Sequence, residues 1–449
     1  MDLLVKQIIE FVEAYGLKRT YWLAYSGGLD SHVLLHLFSR VRLRYPISLK
    51  IIHVNHGISA NAKSWAEHCA RISAELNIEL IQQKIEMTKS SSLEGQLREA
   101  RYALFKKLLQ PDDILVTAHH QNDQAETILL QLFRGAGLPG LAAMPRIKKL
   151  GKGFHARPLL DLTREDLQSY AVYHQLNWIE DESNLNSQFT RNFLRHEVMP
   201  LLMKRWPTVT KMLARSAENC ADAQQLIDNG IGALPKTLSV KKLLALSEIE
   251  RRHTLRAWIV QANFLLPSAI KMQHILQDML HAREDKMPHV AWSQAEIRRY
   301  RDNLFLSEAL RVHDAAEKFE WDFRGSLMMP SIGMLQAFPV KGKGLRADLK
   351  KISVQFRQGG EVLRLPGRKH HHELKKVFQM WGVLPWLRNR VPLIYVDGVL
   401  AAVVGFHVDE EFAAGEGEAG WDVVLLNDHA FFQLRLARVF ATVAKTNDI

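Results

Sequence analysis

The feature that most constrains the fold is a short apolar strand that runs directly into a glycine-rich turn and a helix. Tyr21–Tyr25 reads as the strand, and the turn has the sequence Ser26-Gly27-Gly28-Leu29-Asp30-Ser31. Two adjacent glycines let the backbone turn sharply and present its N–H groups to an anion. The helix that follows, through about Arg40, adds its positive end. This unit therefore predicts an anion-binding loop at the edge of an α/β sheet.

Strand and helix patterns alternate through the first part of the chain. Strands separated by helices of this length need crossover connections, which place the strands parallel in one sheet. We therefore predict an α/β domain over residues 1–215 with a parallel sheet. Its further strands and helices are expected at Leu49–Val54, Ser64–Asn77, Ile78–Ile85, Leu93–Leu109, Asp113–Ala118 and Asp123–Arg134.

The pattern changes after Trp178, where strand signals fade and helical ones follow at Asn192–Leu202 and Thr208–Asp228. We expect residues 216–315 to form a small, mainly helical domain that ends in a strand or hairpin. Residues 316–350 are expected to be a linker, because this stretch carries several Gly and Pro residues. Residues 351–449 are expected to form an α+β domain, with short strands around a basic helix at His372–Met380. Those strands are expected at Ile352–Phe356, Leu393–Val396, Leu400–Val404 and Val423–Leu426.

The charge of the chain indicates a polyanionic partner. Its formal net charge is +11 and its pI about 9.5, which suits a nucleic acid or an acidic membrane surface. No apolar run approaches the roughly 20 residues that span a bilayer, so we expect no membrane association. Cys69 and Cys220 stand far apart, which excludes a disulfide framework and a four-cysteine metal site. A reducing cytoplasm is the expected setting.

The glycine turn carries side chains suited to holding a nucleotide. The hydroxyls of Ser26 and Ser31 can donate to phosphate oxygens, and Asp30 can hold Mg²⁺ against them. A Walker A loop is excluded, since the Gly-Lys-Ser/Thr ending is missing. A tight strand-to-helix connection without a ligand is the alternative, but the whole string favours a site for the phosphates of a nucleotide, formed by Ser26, Gly27, Gly28, Leu29, Asp30 and Ser31. The resemblance given next implies that this nucleotide is ATP, bound with Mg²⁺.

The turn resembles the pyrophosphate loop of the N-type ATP pyrophosphatases, the PP-loop superfamily. Further motifs, in order and spacing, closely resemble those of the bacterial tRNA(Ile)-lysidine synthases over about the first two hundred residues and again near the C-terminus. These motifs are His53–Gly57, Arg98–Tyr102, Ala118–His120, Asn122–Thr127, Arg134-Gly135, Arg157–Leu160, Asp181–Asn184, Arg191–Arg195, Trp386–Arg388, Arg390–Leu393 and Asp397-Gly398.

The resemblance implies a two-step reaction on the cytidine at the first anticodon position of tRNA(Ile) with a CAU anticodon. ATP adenylates the base O2, and the ε-amine of free L-lysine then displaces AMP at C2. The product, lysidine, would switch codon reading from AUG to AUA and tRNA identity from Met to Ile. The partners implied are this tRNA and free lysine, with no obligate protein partner.

Asp123 and Glu126 lie at i, i+3 at the start of a helix, so both carboxylates project from one face. Acids at this position also complement the helix dipole, which is the plain structural explanation. By resemblance we interpret them as the pocket for the lysine ammonium. Because an unperturbed amine is a poor nucleophile at neutral pH, carboxylates that bind it and take a proton would help the reaction.

Arg98 and Arg101 can grip ATP phosphates or the target nucleotide with forked hydrogen bonds, although a solvated helix face explains them as well. The expected catalytic set is then Asp30, Asp123, Glu126, Arg98 and Arg101.

Histidines at the strand ends suggest a metal only weakly, because no third ligand can be identified. We expect His53 to line the adenine pocket, and the other histidines, His56, His119 and His120, to pack or cap.

Two further groups of side chains are candidates for contacts with substrate. Trp178, Arg191, Asn192 and Arg195 are expected to cover the mouth of the pocket or touch RNA, with core packing an equal alternative for Trp178. A basic patch with interspersed tryptophans is expected to contact phosphates: Arg364, Arg368, Lys369, Lys375, Lys376, Trp381, Trp386, Arg388 and Arg390.

The nearest rival function is a PP-loop tRNA thiolation enzyme. Such enzymes generally need a cysteine pair or an iron–sulfur cluster, and this chain has two isolated cysteines. A small-molecule amidotransferase would not explain the basic C-terminal half, and a catalytically inactive RNA-binding relative would not explain why Asp30, Asp123 and Glu126 are all present.

Overall fold

The computed structural model describes residues 3–55, 61–84, 93–180, 190–365 and 370–426. It divides into two compact units, residues 1–230 and 231–449. His56, the motif Asp181–Asn184, Arg368 and Lys369 lie outside the described residues.

The first unit alternates helices and strands, as the sequence predicts. Its elements are α1 (Leu3–Tyr15), β1 (Thr20–Ala24), α2 (Leu29–Arg42), β2 (Ser48–Asn55), α3 (Ala62–Glu75), β3 (Glu79–Lys84), α4 (Leu93–Leu108), β4 (Ile114–Val116), α5 (Gln121–Phe133), α6 (Leu138–Leu141), β5 (Ile147–Leu150), β6 (Gly153–Ala156), α7 (Arg164–Tyr173), α8 (Thr190–Phe193), a π-helical turn (Leu194–Val198), α9 (Met199–Arg205) and α10 (Val209–Ile231).

The sheet of this unit has the strand order β3-β2-β1-β4-β6-β5. All neighbours are parallel except the hairpin of β5 and β6. The chain moves from β1 outward to β2 and β3, and then returns to the other side of β1 as β4. A crevice forms where the order reverses in this way, at the carboxyl ends of β1 and β4.

Strand β1 separates two layers of core, because successive side chains point to opposite faces. Tyr21 and Leu23 join the cluster that contains the apolar side of α2, including Phe38. Trp22 faces the other way and packs with Phe105 near the end of α4. Helices α2 and α4 therefore cover opposite faces of the sheet.

The second unit begins with helices packed on a four-stranded antiparallel sheet of order β7-β10-β9-β8. This sheet is larger than the single strand or hairpin expected there. The elements are β7 (Thr237–Ser239), α11 (Val240–Leu244), α12 (Glu248–Gln261), α13 (Ala269–His274), a π-helical turn (Ile275–Met279), β8 (His289–Trp292), β9 (Ala295–Tyr300) and β10 (Asn303–Glu308).

The rest of the second unit contains two larger sheets, β11-β15-β18-β19-β20 and β12-β13-β21-β14, and a small one of β16 and β17. The two larger sheets contribute to one apolar core, with Leu335 and Val354 fully buried in it. The elements are β11 (Phe319–Trp321), β12 (Ser326–Met329), β13 (Gly333–Lys341), β14 (Leu345–Arg346), β15 (Ile352–Gln355), β16 (Val362–Arg364), β17 (His371–Glu373), α14 (Leu374–Met380), a 3₁₀ turn (Pro385–Arg390), β18 (Leu393–Val396), β19 (Val399–Val403), β20 (His407–Val408) and β21 (Ala419–Leu426).

The expectation that residues 316–350 form a linker is wrong, because four strands lie there. The prediction rested on glycines and on Pro339, which usually interrupt strands but here occur within or beside them. Strand β13 tolerates Pro339 because β12 pairs with it only as far as Gln336, so one side of the strand is open at the proline. Gly344 has φ +76°, and a Cβ there would lie 2.3 Å from the Trp421 carbonyl oxygen. Pro339 therefore lies within a strand, and Gly344 forms a tightly packed bend directly before β14.

The predicted helix His372–Met380 is shorter than expected. His371–Glu373 pairs as β17 with β16, and the helix begins at Leu374. Within the described parts of the chain, no helix is both long enough and apolar enough to cross a membrane.

Candidate active site

Two polar segments meet at the carboxyl edge of the sheet. Strand β1 is followed by the loop Ser26–Ser31, and its hydrogen-bonded neighbour β4 is followed by Thr117–His120 and then α5. The predicted phosphate loop and the predicted acidic pair are thereby brought to adjacent strand ends, at the point where the strand order reverses.

The loop folds on itself through its two serines. Ser26 Oγ lies 3.0 Å from Ser31 Oγ, and the Ser26 amide donates to Ser31 Oγ at 3.2 Å. The Ser31 hydroxyl donates to the Gly28 carbonyl oxygen at 3.0 Å. Gly27 has φ +88°, which favours glycine, and Gly28 is the N-cap of α2 without a side-chain cap. Because none of the described side chains caps this helix start, its first amides can bind an anion.

A downstream residue covers the outer side of the loop. The Ile179 amide donates to the Gly27 carbonyl oxygen at 2.9 Å. A Cβ on Gly27 would lie 2.9 Å from Ile179 Cδ1 and 3.4 Å from Cys69 Sγ. Cys69 is fully buried, and burial raises the pKa of its thiol to about 12. Any larger residue at position 27 would disturb this packing.

His120, the N-cap residue of α5, connects the loop to the acidic pair. Its Nε2 lies 3.7 Å from Asp30 Oδ2 and 3.5 Å from Asp123 Oδ2. Burial opposes the charged imidazolium, but the nearby carboxylates of Asp30 and Asp123 raise the pKa of His120 above its usual value. Oδ1 of Asp30 is buried and has no hydrogen-bond partner among the described residues.

The acidic pair is bound by two arginines, Arg191 in α8 and Arg195 in the π-helical turn that follows it. Arg191 Nε donates to Glu126 Oε2 and Arg195 Nε to Glu126 Oε1, each at 2.7 Å. A terminal nitrogen of each arginine lies 3.1 Å from Asp123 Oδ1. The arginines stand at i, i+4, so the helix and its π-turn present both to the same pair. Only 2 % of the Glu126 side chain is exposed. The positive charges of the two arginines balance the negative charges of the two carboxylates.

These arginines and the nearby histidines determine the charge state of Asp123. Burial would raise its pKa, but the charges of His120, Arg191, His119 and Arg195 lower it to about 2. Asp123 is therefore a carboxylate at neutral pH, well suited to bind a cation and poorly suited to accept a proton.

A cluster of cations lies on the other side of β4, around the ring of Tyr102. The guanidinium carbons of Arg98 and Arg101 lie 5.3 and 5.9 Å from the ring centre, and Lys148 Nζ lies 5.8 Å from it. Arg157, 2 % exposed, donates to the Pro145 carbonyl oxygen at 2.7 Å. The Nε atoms of Arg101 and Arg157 are buried without a partner in the described structure.

Burial, together with the mutual repulsion of the positive charges, lowers the pKa of the buried arginines of this cluster. Burial and the nearby charges of Arg98 and Arg191 lower the pKa of Arg101. Burial also lowers the pKa of Arg157, with Arg98 adding to the effect and Tyr102 opposing it. Among the described residues, no carboxylate lies within ion-pair distance of these cations. Within the described parts of the chain, the cluster therefore has no carboxylate as a direct ion-pair partner.

A chain of hydrogen bonds joins the cations to the acidic side. Arg157 NH2 lies 3.1 Å from His155 Nδ1, and His155 Nε2 lies 2.9 Å from Thr117 Oγ1. Thr117 Oγ1 lies 2.7 Å from His119 Nδ1. Burial, the largest effect, and the charges of Arg157, Arg191 and Arg101 together lower the pKa of His119 to about 3, although Asp123 opposes them. His119 is therefore neutral at physiological pH.

His53 is a packed histidine at the end of β2. It is 5 % exposed, and its Nδ1 lies 3.0 Å from the Tyr25 carbonyl oxygen and 3.4 Å from Cys69 Sγ. Burial lowers its pKa, so it is neutral. Its place in an adenine pocket stays a prediction. Trp178 packs at the margin of the first unit's main core.

The basic patch of the C-terminal region divides into two kinds of residue. Arg388 Nε donates to the Val383 carbonyl oxygen at 3.0 Å, and Arg390 donates to the carbonyl oxygens of Arg311 and Ser331. Trp381 and Trp386 pack at the margin of an apolar cluster, Trp381 stacked on Phe406 and Trp386 edge-on to Phe305. Side chains that remain exposed are Arg364, Lys375 and Lys376.

Sequence reasoning missed several residues that build the site. Ile179 carries no signal of its contact with Gly27. Arg191 and Arg195 were expected only at the pocket mouth, although an arginine pair at i, i+4 opposite an acidic pair at i, i+3 is a signal for an ion-pair network. Arg157 belongs to the motif Arg157–Leu160, but no contact was predicted for it, although a charge directly after a buried strand indicates a position at the sheet edge.

Three families match successive parts of the chain: the PP-loop domain over residues 3–202, the TilS substrate binding domain over 238–305 and the TilS substrate C-terminal domain over 352–425. The loop and its matching domain define the chain as a PP-loop protein. Relatives that match over most of their length then identify the family within this class.

A tRNA(Ile)-lysidine synthase of Coxiella burnetii is 42% identical over 93% of this chain and 96% of its own length. Those of Legionella pneumophila (strain Lens) and Methylococcus capsulatus are each 40% identical, over 89% and 86% of this chain and 94% and 91% of their own. The chain belongs to the tRNA(Ile)-lysidine synthase family.

Proposed function

We propose that this protein is a ligase that joins free L-lysine to C2 of the first anticodon cytidine of tRNA(Ile) with a CAU anticodon, using ATP. The cytidine O2 attacks the α-phosphorus of ATP and pyrophosphate leaves. The ε-nitrogen of lysine then bonds to C2, the C2–O bond breaks with loss of AMP, and nitrogen loses a proton. The products are lysidine, AMP and pyrophosphate, and the tRNA changes its reading from AUG to AUA.

One observation carries the proposal beyond family membership: a phosphate loop and a cation-binding acidic pair share one crevice and are connected by His120. An adenylating enzyme that uses an amine as its second substrate needs both parts within reach of one base. The loop binds the leaving phosphates through the amides at the start of α2 and the hydroxyls of Ser26 and Ser31.

Asp30 fits a role in holding Mg²⁺, because its buried Oδ1 has no partner among the described residues and the serine hydroxyls lie beside it. Mg²⁺ in nucleotide sites uses one or two carboxylates and takes its other ligands from phosphates and water. When bound, it would neutralise charge on the leaving pyrophosphate. His120 Nε2 lies 3.7 Å from Asp30 Oδ2, so an imidazolium there would stabilise the charged carboxylate.

Asp123 and Glu126 are assigned to the lysine ammonium. The low pKa of Asp123 makes its part electrostatic: it holds and orients the amine and is too weak a base to take its proton. Because Arg191 and Arg195 occupy the same carboxylate oxygens, the ammonium has to share or replace these bonds as it binds. The basic second unit is assigned to binding the tRNA.

The decisive test is to incubate the protein with ATP, Mg²⁺, labelled lysine and total tRNA. We expect label in one tRNA species, with one AMP and one pyrophosphate released per lysine. An Asp123→Asn variant should need more lysine for the same rate while its ATP affinity stays near that of the wild type. Asp222→Asn, an exposed change on α10, is the matched control. If no label enters tRNA while thiolation or another AMP-forming reaction proceeds, the proposal is wrong.

A further inference from the structure

The chain of hydrogen bonds at the ends of β4 and β6 has a direction that the residues themselves determine. Its members are Arg157, His155, Thr117 and His119, joined by contacts of 3.1, 2.9 and 2.7 Å in that order. His155 is fully buried, whereas Thr117 and His119 are partly exposed. A guanidinium can only donate, and a hydroxyl has a single hydrogen to give. The position of each hydrogen along the chain therefore follows from the first donor.

Arg157 sets the direction. Because its guanidinium has no acceptor, the contact with His155 is a bond that Arg157 donates, and His155 Nδ1 is unprotonated. Burial and the charge of Arg157 lower the pKa of His155 to about 2, so its ring is neutral. A neutral ring without a hydrogen on Nδ1 carries it on Nε2. His155 Nε2 therefore donates to Thr117 Oγ1.

Thr117 continues this direction to His119. Its oxygen already accepts from His155, and the acceptor that the described residues offer to its own hydrogen is His119 Nδ1. His119 Nδ1 is thus unprotonated, and the neutral ring carries its hydrogen on Nε2. No bond joins this Nε2 to another of the described residues. His119 therefore offers the crevice an N–H donor, and it has no nitrogen left that could accept a proton.

His119 lies where the two steps of the proposed reaction have to meet. It directly precedes His120, whose Nε2 lies 3.7 Å from Asp30 of the phosphate loop and 3.5 Å from Asp123. The charge of Asp123 also acts on the ring of His119. The cytidine O2 has to reach the α-phosphorus at the loop, and C2 then has to reach the amine at the acidic pair. A donor between the loop and the acids is within reach of the C2–O2 group.

We propose that His119 donates a hydrogen bond through Nε2 to the cytidine O2 and stabilises this oxygen as it leaves with AMP, and that Thr117 and His155 position His119 for this. The inference rests on the proposed function. In the first step O2 forms its bond to phosphorus with its other lone pair. In the second step the lysine nitrogen bonds to C2, the C2–O2 bond breaks, and O2 takes the electron pair as an oxygen of AMP. The lysine nitrogen releases its proton to water, and His119 keeps its own.

A donor to O2 affects the two steps differently. It draws electrons from O2, which gives no help to the attack on phosphorus, but it supports the negative charge that O2 gains when the C2–O2 bond breaks. Loss of one such donor costs about 100-fold in rate. His119→Leu should therefore slow lysine transfer about 100-fold and leave the formation of adenylated tRNA near its wild-type rate. His119→Gln should keep most of the transfer rate, because its amide offers an acceptor and a donor in place of the two ring nitrogens.

Single-turnover measurements separate the two steps. Adenylated tRNA is formed with ATP in the absence of lysine, and its decay is followed after lysine is added. Thr117→Val removes the hydroxyl and should slow the transfer at least about tenfold, and Thr117→Ser should restore it. Thr20→Val, the same change at the amino end of β1, is the control. An equal loss in both steps for His119→Leu, or a loss in the first step alone, overturns the inference.

Nitrogen-15 NMR of histidine-labelled protein provides a readout independent of turnover. The chain has 20 histidines, and the signals that disappear in His119→Gln are those of His119. At neutral pH the wild type should show Nδ1 without a hydrogen and Nε2 with one. Thr117→Val should shift the Nδ1 signal because its hydrogen bond is lost, and Thr117→Ser should leave it near its wild-type position. A protonated Nδ1 in the wild type overturns the inference. Absence of lysine incorporation by a wild type that shows the expected hydrogens would instead contradict the proposed function.

Discussion

A buried carboxylate beside several cations should make stability depend on acidity. The pKa of Asp123 is about 2, below its ordinary 3.8, because His120, Arg191, His119 and Arg195 outweigh its burial. A carboxyl group with a depressed folded-state pKa stabilises the fold above its unfolded pKa, and that contribution disappears as the pH falls through the folded value.

We therefore expect the wild type to lose about 2 kcal/mol through this group between about pH 4 and pH 2. Urea unfolding of the wild type and of Asp123→Asn over this range should show a smaller loss in the variant. Asp222→Asn should follow the wild type. Parallel curves for wild type and Asp123→Asn would mean that the carboxylate is not held by these charges in solution.

Single residues were predictable from sequence where their partners are close in the chain. The loop Ser26–Ser31 could be recognised because the hydrogen bonds of its two serine side chains span at most five positions. The arginine partners of Glu126 lie 65 and 69 positions away, so no local pattern indicates them. Asp123 and Glu126 could be assigned to a cation, but not to the cations of the protein itself.

Among the elements, the glycine turn before α2 tolerates little change. Gly27→Ala has to adopt φ +88° and place a Cβ 2.9 Å from Ile179 Cδ1. We expect a loss of about 1–2 kcal/mol in stability from the backbone conformation and a larger, at least about tenfold, loss in ATP affinity because the loop amides are displaced.

Calorimetric titration with ATP and urea unfolding measure the two effects. Gly230→Ala is the matched control, since a Cβ there meets no atom within 4 Å. Wild-type ATP affinity in Gly27→Ala would show that the loop does not bind the nucleotide in this conformation.

The segment from α8 through its π-turn supplies the two arginines that pair with Asp123 and Glu126. If one arginine is removed, we expect bound substrate to restore part of the lost stability. Arg195→Met leaves Glu126, 2 % exposed, with one arginine in place of two. We expect a loss of about 3 kcal/mol in the free energy of unfolding. Because the lysine ammonium can take the vacated place, saturating lysine should stabilise this variant more than the wild type.

Thermal unfolding with and without lysine gives the comparison, and Lys204→Met, exposed in the next helix, provides the control. If lysine stabilises Arg195→Met no more than it stabilises the wild type, the ammonium does not bind at this pair.

Element prediction succeeded where the periodicity was undisturbed and failed where glycine and proline occur within strands. The alternating strands and helices of the first unit stand close to their predicted limits. Residues 316–350 were misjudged because the open side of β13 at Pro339 depends on how far β12 extends along it, which no local pattern states. The pairing of strands depends on segments that are distant in the chain, so the sequence of one segment does not reveal it.

For the whole molecule, the excess of positive charge should appear in how tRNA binding responds to salt. Of the predicted patch, Lys375 and Lys376 are exposed, whereas Arg388 and Arg390 are committed to backbone carbonyl oxygens. The double variant Lys375→Gln/Lys376→Gln should weaken tRNA binding and reduce the slope of log K against log salt concentration by up to about 1.5.

Filter binding over a range of salt concentrations measures the slope. Lys341→Gln/Lys343→Gln removes the same charge from exposed positions of the same unit and should change the slope less. Equal slopes for the two double variants would place the tRNA elsewhere.

The cysteine beneath the phosphate loop gives the protein a built-in reporter. The thiolate is the form of cysteine that attacks thiol reagents, and Cys69 is both inaccessible and, with a pKa of about 12, almost wholly protonated at neutral pH. Cys220, partly exposed on α10, offers an internal reference in the same chain. The rate at which a maleimide labels Cys69 relative to Cys220 would therefore measure how often the loop separates from Ile179. We expect bound ATP to lower this relative rate in the wild-type protein, so the measurement needs no mutation.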